Sequence, residues 1–356
     1  MALLVLLVSL SILSAESQNL LGETMTFFNK GRNPNSTFQV EFQYKATYFY
    51  SDGLSTFKYC YNEDCYQMGT ELLNEISDSE SEVSLYLFGG STVINALSDK
   101  PFDVSFSGCC WFNYDPTSKL QFMTHVDLGV RSDTGLPNRP PITGSNLIVS
   151  FPNSCPTPIK LPVFDPDGDR VRCRFGQSSN NECYTCSQIS GITLNEITCE
   201  LTISNSMVWS SVLELVIEDF PQQDITLTYS DGSSVSKGNS PTDEPLSKIP
   251  FQGFYNIIYY PSCNLGDYIP LFLDSTPLNE ERKTAFVGSQ FEFNITAYAS
   301  LATVSEIVVT GPLNLNKSFQ FDTMTRTGSA TVMWTPSEND VGNYIPFFFT
   351  VLTVEG

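Results

Sequence analysis

Apolar and polar residues alternate along several stretches of the chain. The clearest is residues 38–48, in which every second residue is apolar or aromatic and the residues between are mostly polar. A period of two places successive side chains on opposite faces of a β-strand, so one face is buried and the other is in water. Further stretches predict strands at residues 83–88, 102–106, 120–130, 147–151, 211–220 and 251–260.

The C-terminal part shows the same alternation at residues 291–297 and 330–334, before an apolar run at residues 346–354. The Asp-x-Gly-x-Tyr sequence that ends at Tyr344 is typical of a tyrosine corner, in which a phenol at a strand start bonds back to the backbone. A turn followed by an ordinary aromatic strand is the alternative. Residues 68–81 could form a short helix.

Residues 161–173 combine β-patterning, an acidic turn and a cysteine. Asp165-Pro166-Asp167-Gly168 carries the residues preferred in a type I turn, with a side-chain acceptor first, proline second and glycine last. Apolar residues enter and leave this turn. The segment therefore predicts a β-hairpin.

Composition favours an all-β fold. Of 356 residues, 13% are aromatic and only 16% charged, while 22 glycines and 21 prolines supply turns. The 39 acidic and 18 basic residues give a net charge of −21, which repels nucleic acid and anionic lipid. We therefore expect no nucleic-acid partner.

Proline-containing segments divide the chain into three expected β-sandwich-like modules. Residues 135–141 should be extended, since prolines cannot join a central sheet, and a second boundary lies near Pro261. We expect a cysteine-bridged β domain at 18–136, a β domain with a cysteine-rich loop at 137–261, and a third domain at 262–356 that ends within a strand-like run.

The N-terminus predicts export. Residues 2–13 are almost continuously apolar and residues 15–17 offer small side chains two apart, so residues 1–17 are expected to be a signal peptide. A short buried strand or helix is the alternative. No later stretch reaches the roughly 18 apolar residues of a membrane span. We expect a secreted or extracellular protein, or one anchored through a segment that follows Gly356.

Ten cysteines in an oxidising compartment predict disulfides. They are Cys60, Cys65, Cys109, Cys110, Cys155, Cys173, Cys183, Cys186, Cys199 and Cys263. Cys109 and Cys110 are adjacent and would point to opposite faces of a strand, so they should reach Cys60 and Cys65 more easily than each other. A four-thiolate zinc site around residues 183–186 is the alternative for the second group.

Three short motifs are Asn138-Arg139-Pro140-Pro141, Phe164-Asp165-Pro166-Asp167-Gly168-Asp169, and Trp334-Thr335-Pro336 with Asp340 and Gly342. Together they resemble the tandem cadherin-like and immunoglobulin-like repeats of large animal extracellular glycoproteins, some of which carry a zona-pellucida-type module. The resemblance covers residues 137–356. It implies cadherin-like or immunoglobulin-like β-sandwiches for the last two domains and a role in cell adhesion.

The resemblance also implies a calcium site. Cadherin repeats bind Ca²⁺ through acidic residues near their linkers, and Asp165, Asp167 and Asp169 resemble the Asp-x-Asp element. Oxygen ligands from one turn suit a hard cation. The glutamate and the Asp-x-Asn-Asp-Asn linker of true cadherins are missing, with only a partial match at residues 218–221. A plain acidic turn is therefore the alternative.

Three sequons predict glycosylation at Asn35, Asn294 and Asn316. His125 is the only histidine and lies in a predicted strand, where we expect a structural or surface role. The sequence contains no Gly-x-Ser-x-Gly, phosphate-loop or His-Glu-x-x-His motif. We expect no enzyme, with a carboxylate-dependent hydrolase as the least favoured alternative.

These observations predict a secreted or ectodomain glycoprotein region that mediates adhesion or matrix interaction. Disulfides and proline linkers would hold loops and edge strands rigid for contact with an extracellular protein or glycan. A carbohydrate-recognition or immune-defence protein is the alternative, with Trp111 stacking on a sugar. Trp111 lies beside two cysteines, so a core position competes with that role.

Overall fold

The protein is all-β and disulfide-braced, as predicted. The computed structural model describes residues 20–48, 58–61, 63–67, 71–77, 84–111, 119–144, 148–152, 155, 158–186, 190–203, 209–240, 242–312 and 314–354. The expected signal peptide at residues 1–17 lies outside these ranges. Helix is limited there to the 3₁₀ turns Ser178–Asn180 and Glu338–Asp340, and none of the described helices is long and apolar enough to cross a membrane.

The strands of the described residues are numbered in chain order. The first nine are β1 (Leu20–Arg32), β2 (Phe38–Tyr48), β3 (Lys58–Tyr61), β4 (Asp64–Gln67), β5 (Glu71–Ser77), β6 (Ser84–Ala96), β7 (Phe102–Cys109), β8 (Lys119–Val126) and β9 (Val130–Arg131). Next come β10 (Ile142–Thr143), β11 (Ile148–Pro152), β12 (Ile159–Lys160), β13 (Val163–Phe164), β14 (Arg170–Phe175), β15 (Ile192–Asn195), β16 (Glu200–Ile203), β17 (Ser210–Phe220), β18 (Ile225–Thr228), β19 (Ser234–Lys237) and β20 (Ser247–Ile258). The last are β21 (Leu271–Phe272), β22 (Phe291–Tyr298), β23 (Val304–Thr310), β24 (Asn316–Asp322), β25 (Thr327–Trp334) and β26 (Phe348–Thr353).

Strand β20 joins the two parts of the largest sheet. The path of this sheet is β4-β3-β7-β8-β20-β1-β2-β6-β5, and β17 and β11 also pair with β20. One edge of β20 follows β17 along most of its length, while the other meets β8, then β1, then β11. The expected separation of residues 18–136 from residues 137–261 therefore needs correction, because one sheet runs across that boundary. Local patterning does not reveal pairing between strands so far apart in the chain.

The described residues form three main hydrophobic cores. The first core is built mostly from β1, β2, β6, β7 and β8, and it also takes Val212 from β17 and Phe254 from β20. The second packs the β11, β14, β17 and β20 side of the large sheet against the small sheet β12-β16-β15. The third lies between the sheets β21-β22-β25-β24 and β23-β26, which form a β-sandwich.

The predicted hairpin around the acidic turn is wrong. The two strands form where expected, but β13 pairs with β10 while β14 pairs with β17. The turn therefore passes the chain from one sheet to another. Pairing with distant strands outweighs the local hairpin. Six residues of β14 pair with β17, whereas β13 is only two residues long and could offer β14 far fewer pairs.

Two smaller expectations also fail. Residues 71–77 form strand β5 rather than a helix, since they pair with β6. Tyr344 is 48% exposed and lies before β26, with the guanidinium of Arg282 5.1 Å from its ring centroid. Asp340 instead caps a 3₁₀ turn through Ser337. This aromatic residue therefore does not form a tyrosine corner.

Candidate metal centre

The acidic turn between β13 and β14 is fixed by its own first carboxylate. Asp165 Oδ1 accepts hydrogen bonds from the backbone N–H groups of Asp167 and Asp169, both at 2.9 Å. Gly168 has a φ of 77°, in the left-handed region that favours glycine, and its N–H donates to the Asp165 carbonyl at 3.3 Å. These side-chain bonds use only one of the two carboxylate oxygens of Asp165.

Asp167 faces the proline-containing linker, residues 135–141. Its Oδ1 accepts a hydrogen bond from Arg139 Nε at 2.7 Å, and its Oδ2 accepts one from the Arg139 backbone N–H at 2.9 Å. Arg131 Nη1 also approaches Oδ2, at 3.4 Å. Two arginines therefore balance the charge of Asp167.

Arg131 of β9 is the cation at the centre of the site, with a side chain only 1% exposed. Its guanidinium binds both carboxylate oxygens of Asp169, with Nη2 to Oδ1 at 2.9 Å, and also both oxygens of Asp133 and Oδ1 of Asn138. Burial alone would lower the pKa of Arg131, but the hydrogen bonds to Asp169 and Asp133 outweigh burial and raise the pKa. Arg131 is therefore a permanent positive charge.

Asp219 enters the same site from the end of β17. Its Oδ1 accepts bonds from the backbone N–H of Ser247 at 2.7 Å and from the Ser247 hydroxyl at 2.6 Å. Its Oδ2 accepts a bond from Asn138 Nδ2 at 2.7 Å. All of these donors are neutral, so they satisfy the oxygens of Asp219 without cancelling its charge.

The acid cluster, defined as Asp165, Asp169 and Asp219, brings three buried carboxylates together. One oxygen of each lies within 4.8 Å of the others. Burial, with repulsion from neighbouring carboxylates, raises the pKa of Asp165 to about 8 and that of Asp219 to about 7. Burial also raises the pKa of Asp169, against the lowering effect of Arg131. If all three were ionised, the cluster would carry more negative charge than Arg131 offsets, so Asp165 and Asp219 hold their protons until the pH approaches these values.

One oxygen of the acid cluster lacks a partner. Asp165 Oδ2 is buried and accepts no hydrogen bond within the described part of the chain. A buried carboxylate oxygen in this condition is costly, and either a proton or a bound cation relieves the cost. An all-oxygen donor set fits a hard cation such as Ca²⁺ and not the sulfur and nitrogen preference of zinc. Asp165 and Asp219 would hold such an ion, with Asp169 shared with Arg131.

The acid cluster differs from the predicted set of Asp165, Asp167 and Asp169 by one residue. Asp165 and Asp169 lie in the cluster, but Asp167 does not, because Arg139 holds it at the linker. Asp219 takes its place. The sequence carried a signal for Asp219 in the partial cadherin-like match at residues 218–221, whereas nothing local marked Arg131 as the partner of Asp169.

The described disulfides are Cys60–Cys65, Cys155–Cys263, Cys173–Cys199 and Cys183–Cys186, and Cys110 is also disulfide-bonded. The expected reach of Cys60 and Cys65 to the cysteines at 109 and 110 is wrong, because β3 and β4 place Cys60 directly opposite Cys65. The second group forms bridges, so its four-thiolate zinc alternative is also excluded.

The three sequon asparagines are exposed. Asn35 Oδ1 accepts a bond from the Thr37 hydroxyl of its own sequon at 2.7 Å, and Asn294 Oδ1 accepts one from Thr331 on the neighbouring strand at 2.8 Å. Asn316 begins β24 on its exposed side. Glycosylation of these residues stays a prediction.

The remaining predicted residues do not form a site together. His125 lies on β8 with Nδ1 2.6 Å from Asp103 Oδ1 of the neighbouring strand. Trp111 is fully buried in the first core, so it offers no face for a sugar. Trp209, which sequence reasoning did not select, is the exposed indole, with 63% of its surface in solvent.

Comparisons with known proteins add no closer identification. No protein-family model matches the chain, and no curated protein matches it. Among solved structures it is similar to extracellular cadherin domains 1–4 of protocadherin gamma B7, with 11% identity, a TM-score of 0.20, and coverage of 89% of this chain and 71% of that one. It is also similar to extracellular cadherin domains 1–5 of protocadherin gamma B2, with 10% identity, a TM-score of 0.20 and coverage of 91% and 65%.

A third similar structure contains the N-terminal eight Ig domains of Down syndrome cell adhesion molecule. The identity is 9%, the TM-score is 0.16, and the match covers 94% of this chain and 42% of that one. At these TM-scores the likeness carries no argument. The functional interpretation therefore rests on the geometry of the chain itself.

Proposed function

We propose that this chain is an extracellular adhesion or matrix-interaction region in which Asp165, Asp169 and Asp219 bind Ca²⁺. The observation that carries the proposal is the buried, unpartnered Oδ2 of Asp165 beside two further carboxylates. An extracellular setting supplies the millimolar Ca²⁺ that a site of moderate affinity needs. It also supplies the oxidising conditions under which the observed disulfides persist.

The location of the acid cluster suggests what the ion would do. Arg131 and Asn138 come from the segment that leaves the first core, while Asp219 is the last residue but one of β17 and its partner Ser247 begins β20. A cation here would tie the linker, the acidic turn and the large sheet together. Without a cation or a proton, the carboxylates repel one another and loosen the same junction.

The mechanism that follows is that a rigid scaffold presents its exposed loops and edge strands to a partner. A β scaffold with a fixed junction keeps its exposed loops and edge strands in constant relative positions, which lowers the entropy lost when a partner binds. Ca²⁺ would then favour adhesion indirectly by ordering the junction. The partner would be an extracellular protein that contacts the exposed surface.

Calcium titration of the EDTA-treated protein, residues 18–356 secreted from cultured cells, tests the site directly. We expect saturable binding near neutral pH, with a dissociation constant between about 10⁻⁴ and 10⁻³ M, as in extracellular modules. Asp165→Asn and Asp219→Asn should each abolish saturation. Asp322→Asn, at the exposed end of β24, should bind as the wild type does.

Asp167→Asn separates the structural assignment from the sequence motif. If the acid cluster is the site, this variant keeps its Ca²⁺ binding, whereas the Asp-x-Asp motif predicts its loss. Beads coated with the wild type should aggregate in Ca²⁺ and disperse in EDTA. Ca²⁺ binding without any effect on bead aggregation would retain the metal site but refute its role in adhesion.

A further inference from the structure

Two large aromatic side chains are exposed to solvent at one end of the largest sheet. Trp209 precedes β17 and is 63% exposed, and Tyr259 follows β20 and is 67% exposed. The Ile257 N–H donates to the Trp209 carbonyl at 2.8 Å, which continues the register of Ser210 opposite Asn256 by one pair. Because side chains alternate along an extended strand, Trp209, Ile257 and Tyr259 point to the same side of the sheet. Trp209 and Tyr259, here called the aromatic pair, are therefore diagonal neighbours.

The aromatic pair has no partner among the described residues. Neither ring stacks on another aromatic ring, and neither the indole N–H of Trp209 nor the hydroxyl of Tyr259 makes a hydrogen bond within that part of the chain. By contrast, the next residue, Tyr260, is buried and stacks on Tyr268 with 6.0 Å between the ring centroids. Each member of the pair thus offers a ring face and one hydrogen-bonding group.

The backbone that carries the aromatic pair is braced on the other side of β20. The last residue of β11, Pro152, lies opposite Ile258 at the end of β20, so β11 reaches the same end of the sheet. The disulfide Cys155–Cys263 then joins the segment after β11 to the segment after β20. A surface that is formed before its ligand arrives loses little conformational entropy on binding.

The segments that form this end of the sheet carry no charge. Residues 140–159, 201–213 and 249–266 contain no Asp, Glu, Lys or Arg, although 16% of the whole chain is charged. They contain serine, threonine and asparagine instead, whose hydroxyl and amide groups exchange hydrogen bonds with hydroxyl groups. An ionic ligand finds no counter-charge in these segments, whereas a neutral, hydroxylated ligand does not need one.

The first acidic residue after these segments is already occupied. The carboxylate of Asp267 accepts hydrogen bonds from Ser262 at 2.7 Å and from Asn264 and Ser300 at 3.1 Å. These neutral neighbours satisfy its oxygens. Asp267 therefore does not change the neutral character of the surface beside the aromatic pair.

The exposed area of the aromatic pair favours a small ligand. An aromatic side chain has about 150–250 Å² to bury, and about two-thirds of each member is exposed, so the pair offers roughly 200–300 Å². A stable protein interface covers about 800 Å² on each partner. A pyranose ring is closer in size, and it presents a face of C–H groups to an aromatic ring while its hydroxyl groups project from its edge.

We propose that the aromatic pair binds a neutral hexopyranose, as a unit of an extracellular glycan. The C–H face of the sugar packs on the indole of Trp209, and the hydroxyl of Tyr259 exchanges a hydrogen bond with a sugar hydroxyl. A single sugar binds in the millimolar range because the contact area is small. This binding does not depend on the proposed Ca²⁺ site.

Trp209 reports on its own occupancy. The other two tryptophans of the chain, Trp111 and Trp334, are 0% and 6% exposed, so acrylamide quenches chiefly the fluorescence of Trp209. Methyl β-D-galactopyranoside, methyl β-D-glucopyranoside and methyl α-D-mannopyranoside are titrated separately into the EDTA-treated protein, residues 18–356. At least one should protect Trp209 from quenching, with saturation at millimolar concentration. Equal protection by glycerol, or no saturable protection by any of the three sugars, refutes the proposal.

Variants assign the binding to the aromatic pair. Tyr259→Ala keeps the fluorescent reporter and should weaken sugar binding about 10-fold. Trp209→Ala should abolish saturable binding, measured by calorimetry because the reporter is lost. Phe286→Ala is the matched control, at an aromatic side chain that is 71% exposed in the third-core region, and it should bind like the wild type.

All three positions are exposed, so the thermal midpoints of these variants should stay close to that of the wild type. Unchanged sugar binding by both Tyr259→Ala and Trp209→Ala would overturn the assignment. Sedimentation of the sugar-free wild type tests the alternative occupant, a second copy of the chain. A dimer that Trp209→Ala dissociates would identify the aromatic pair as a protein contact and would also overturn the assignment.

Discussion

At the residue scale, the ionised carboxylates around Asp165 would carry more negative charge than their partners offset. Its Oδ1 organises the acidic turn, while its Oδ2 is buried without a partner among the described residues. Asp219 has only neutral donors, and Arg131 is committed chiefly to Asp169 and Asp133. A proton and a cation therefore compete to relieve the same excess of negative charge.

The raised pKa values predict a loss of stability as pH increases in EDTA. Folded Asp165 and Asp219 keep protons up to about pH 8 and about pH 7, whereas aspartates in the unfolded chain lose them near their ordinary pKa of 3.8. The native state then binds more protons, so the free energy of unfolding falls between these limits, by about 1.4 kcal/mol per pH unit for one retained proton. Urea unfolding across this range should show a shallower slope for Asp165→Asn. Equal slopes would show that Asp165 is not the titrating group.

Removal of the central cation should be more damaging than removal of its exposed neighbour. Arg131→Met leaves Asp169 buried without its ion pair, which costs about 3–5 kcal/mol of unfolding free energy. Arg139→Met removes a cation whose side chain is 35% exposed, and should cost about 1 kcal/mol or less. Urea unfolding in excess Ca²⁺ compares the two. Similar losses would argue against Arg131 as the centre of the charge network.

At the element scale, β20 and the disulfides decide which parts of the chain stay together. β20 pairs with strands on both sides of residue 137, and Cys155–Cys263 connects the segment after β11 to the segment after β20. This bridge spans a sequence separation of 108, whereas Cys183–Cys186 spans only 3. In the chain-entropy model, stabilisation by a disulfide grows with the loop it closes.

Two double variants test this difference. Cys155→Ala/Cys263→Ala should lower the free energy of unfolding by about 2–5 kcal/mol, while Cys183→Ala/Cys186→Ala should lower it by less. Thermal unfolding monitored by far-UV circular dichroism gives the comparison. A larger loss from the short bridge would mean that local contacts, and not loop closure, set the effect.

The shared sheet predicts that the first segment does not fold alone. Residues 18–136 lack β20, which supplies Phe254 to the first core and pairs with β1 and β8. Expressed alone, this segment should give poorly dispersed amide resonances, whereas residues 18–261 should give a dispersed spectrum. A well-dispersed spectrum from residues 18–136 would restore the boundary expected from the prolines.

Sequence patterning recovered strands far better than their partners. The alternation at residues 38–48 predicts β2 with both of its ends, because burial of one strand face is a local property. The same reasoning misplaces residues 71–77 and the hairpin at Asp165, since pairing with β6 and β17 outweighs local preference. Asp219 joins the acid cluster only through the long-range approach of β17, so a sequence motif pointed to Asp167 instead.

At the scale of the whole molecule, the chain is a series of β layers with polar sites on both faces of one sheet. Asp219 and Ser247 bond on one face, while their neighbours Glu218 and Lys248 lie opposite each other on the other face. The third core remains in contact with the rest, since Lys45 donates to the Gly311 carbonyl at 2.7 Å. An ion at the acid cluster would strengthen the junction between the linker, the acidic turn and the large sheet.

The most direct test of this account is the thermal unfolding midpoint at about pH 8, with EDTA and with millimolar Ca²⁺, for the wild type and Asp165→Asn. At this pH the competing proton is largely lost from Asp219 and about half lost from Asp165. Ca²⁺ should raise the wild-type midpoint by several degrees and leave that of Asp165→Asn unchanged. An equal increase in both proteins, or none in the wild type, would contradict Ca²⁺ binding at the acid cluster.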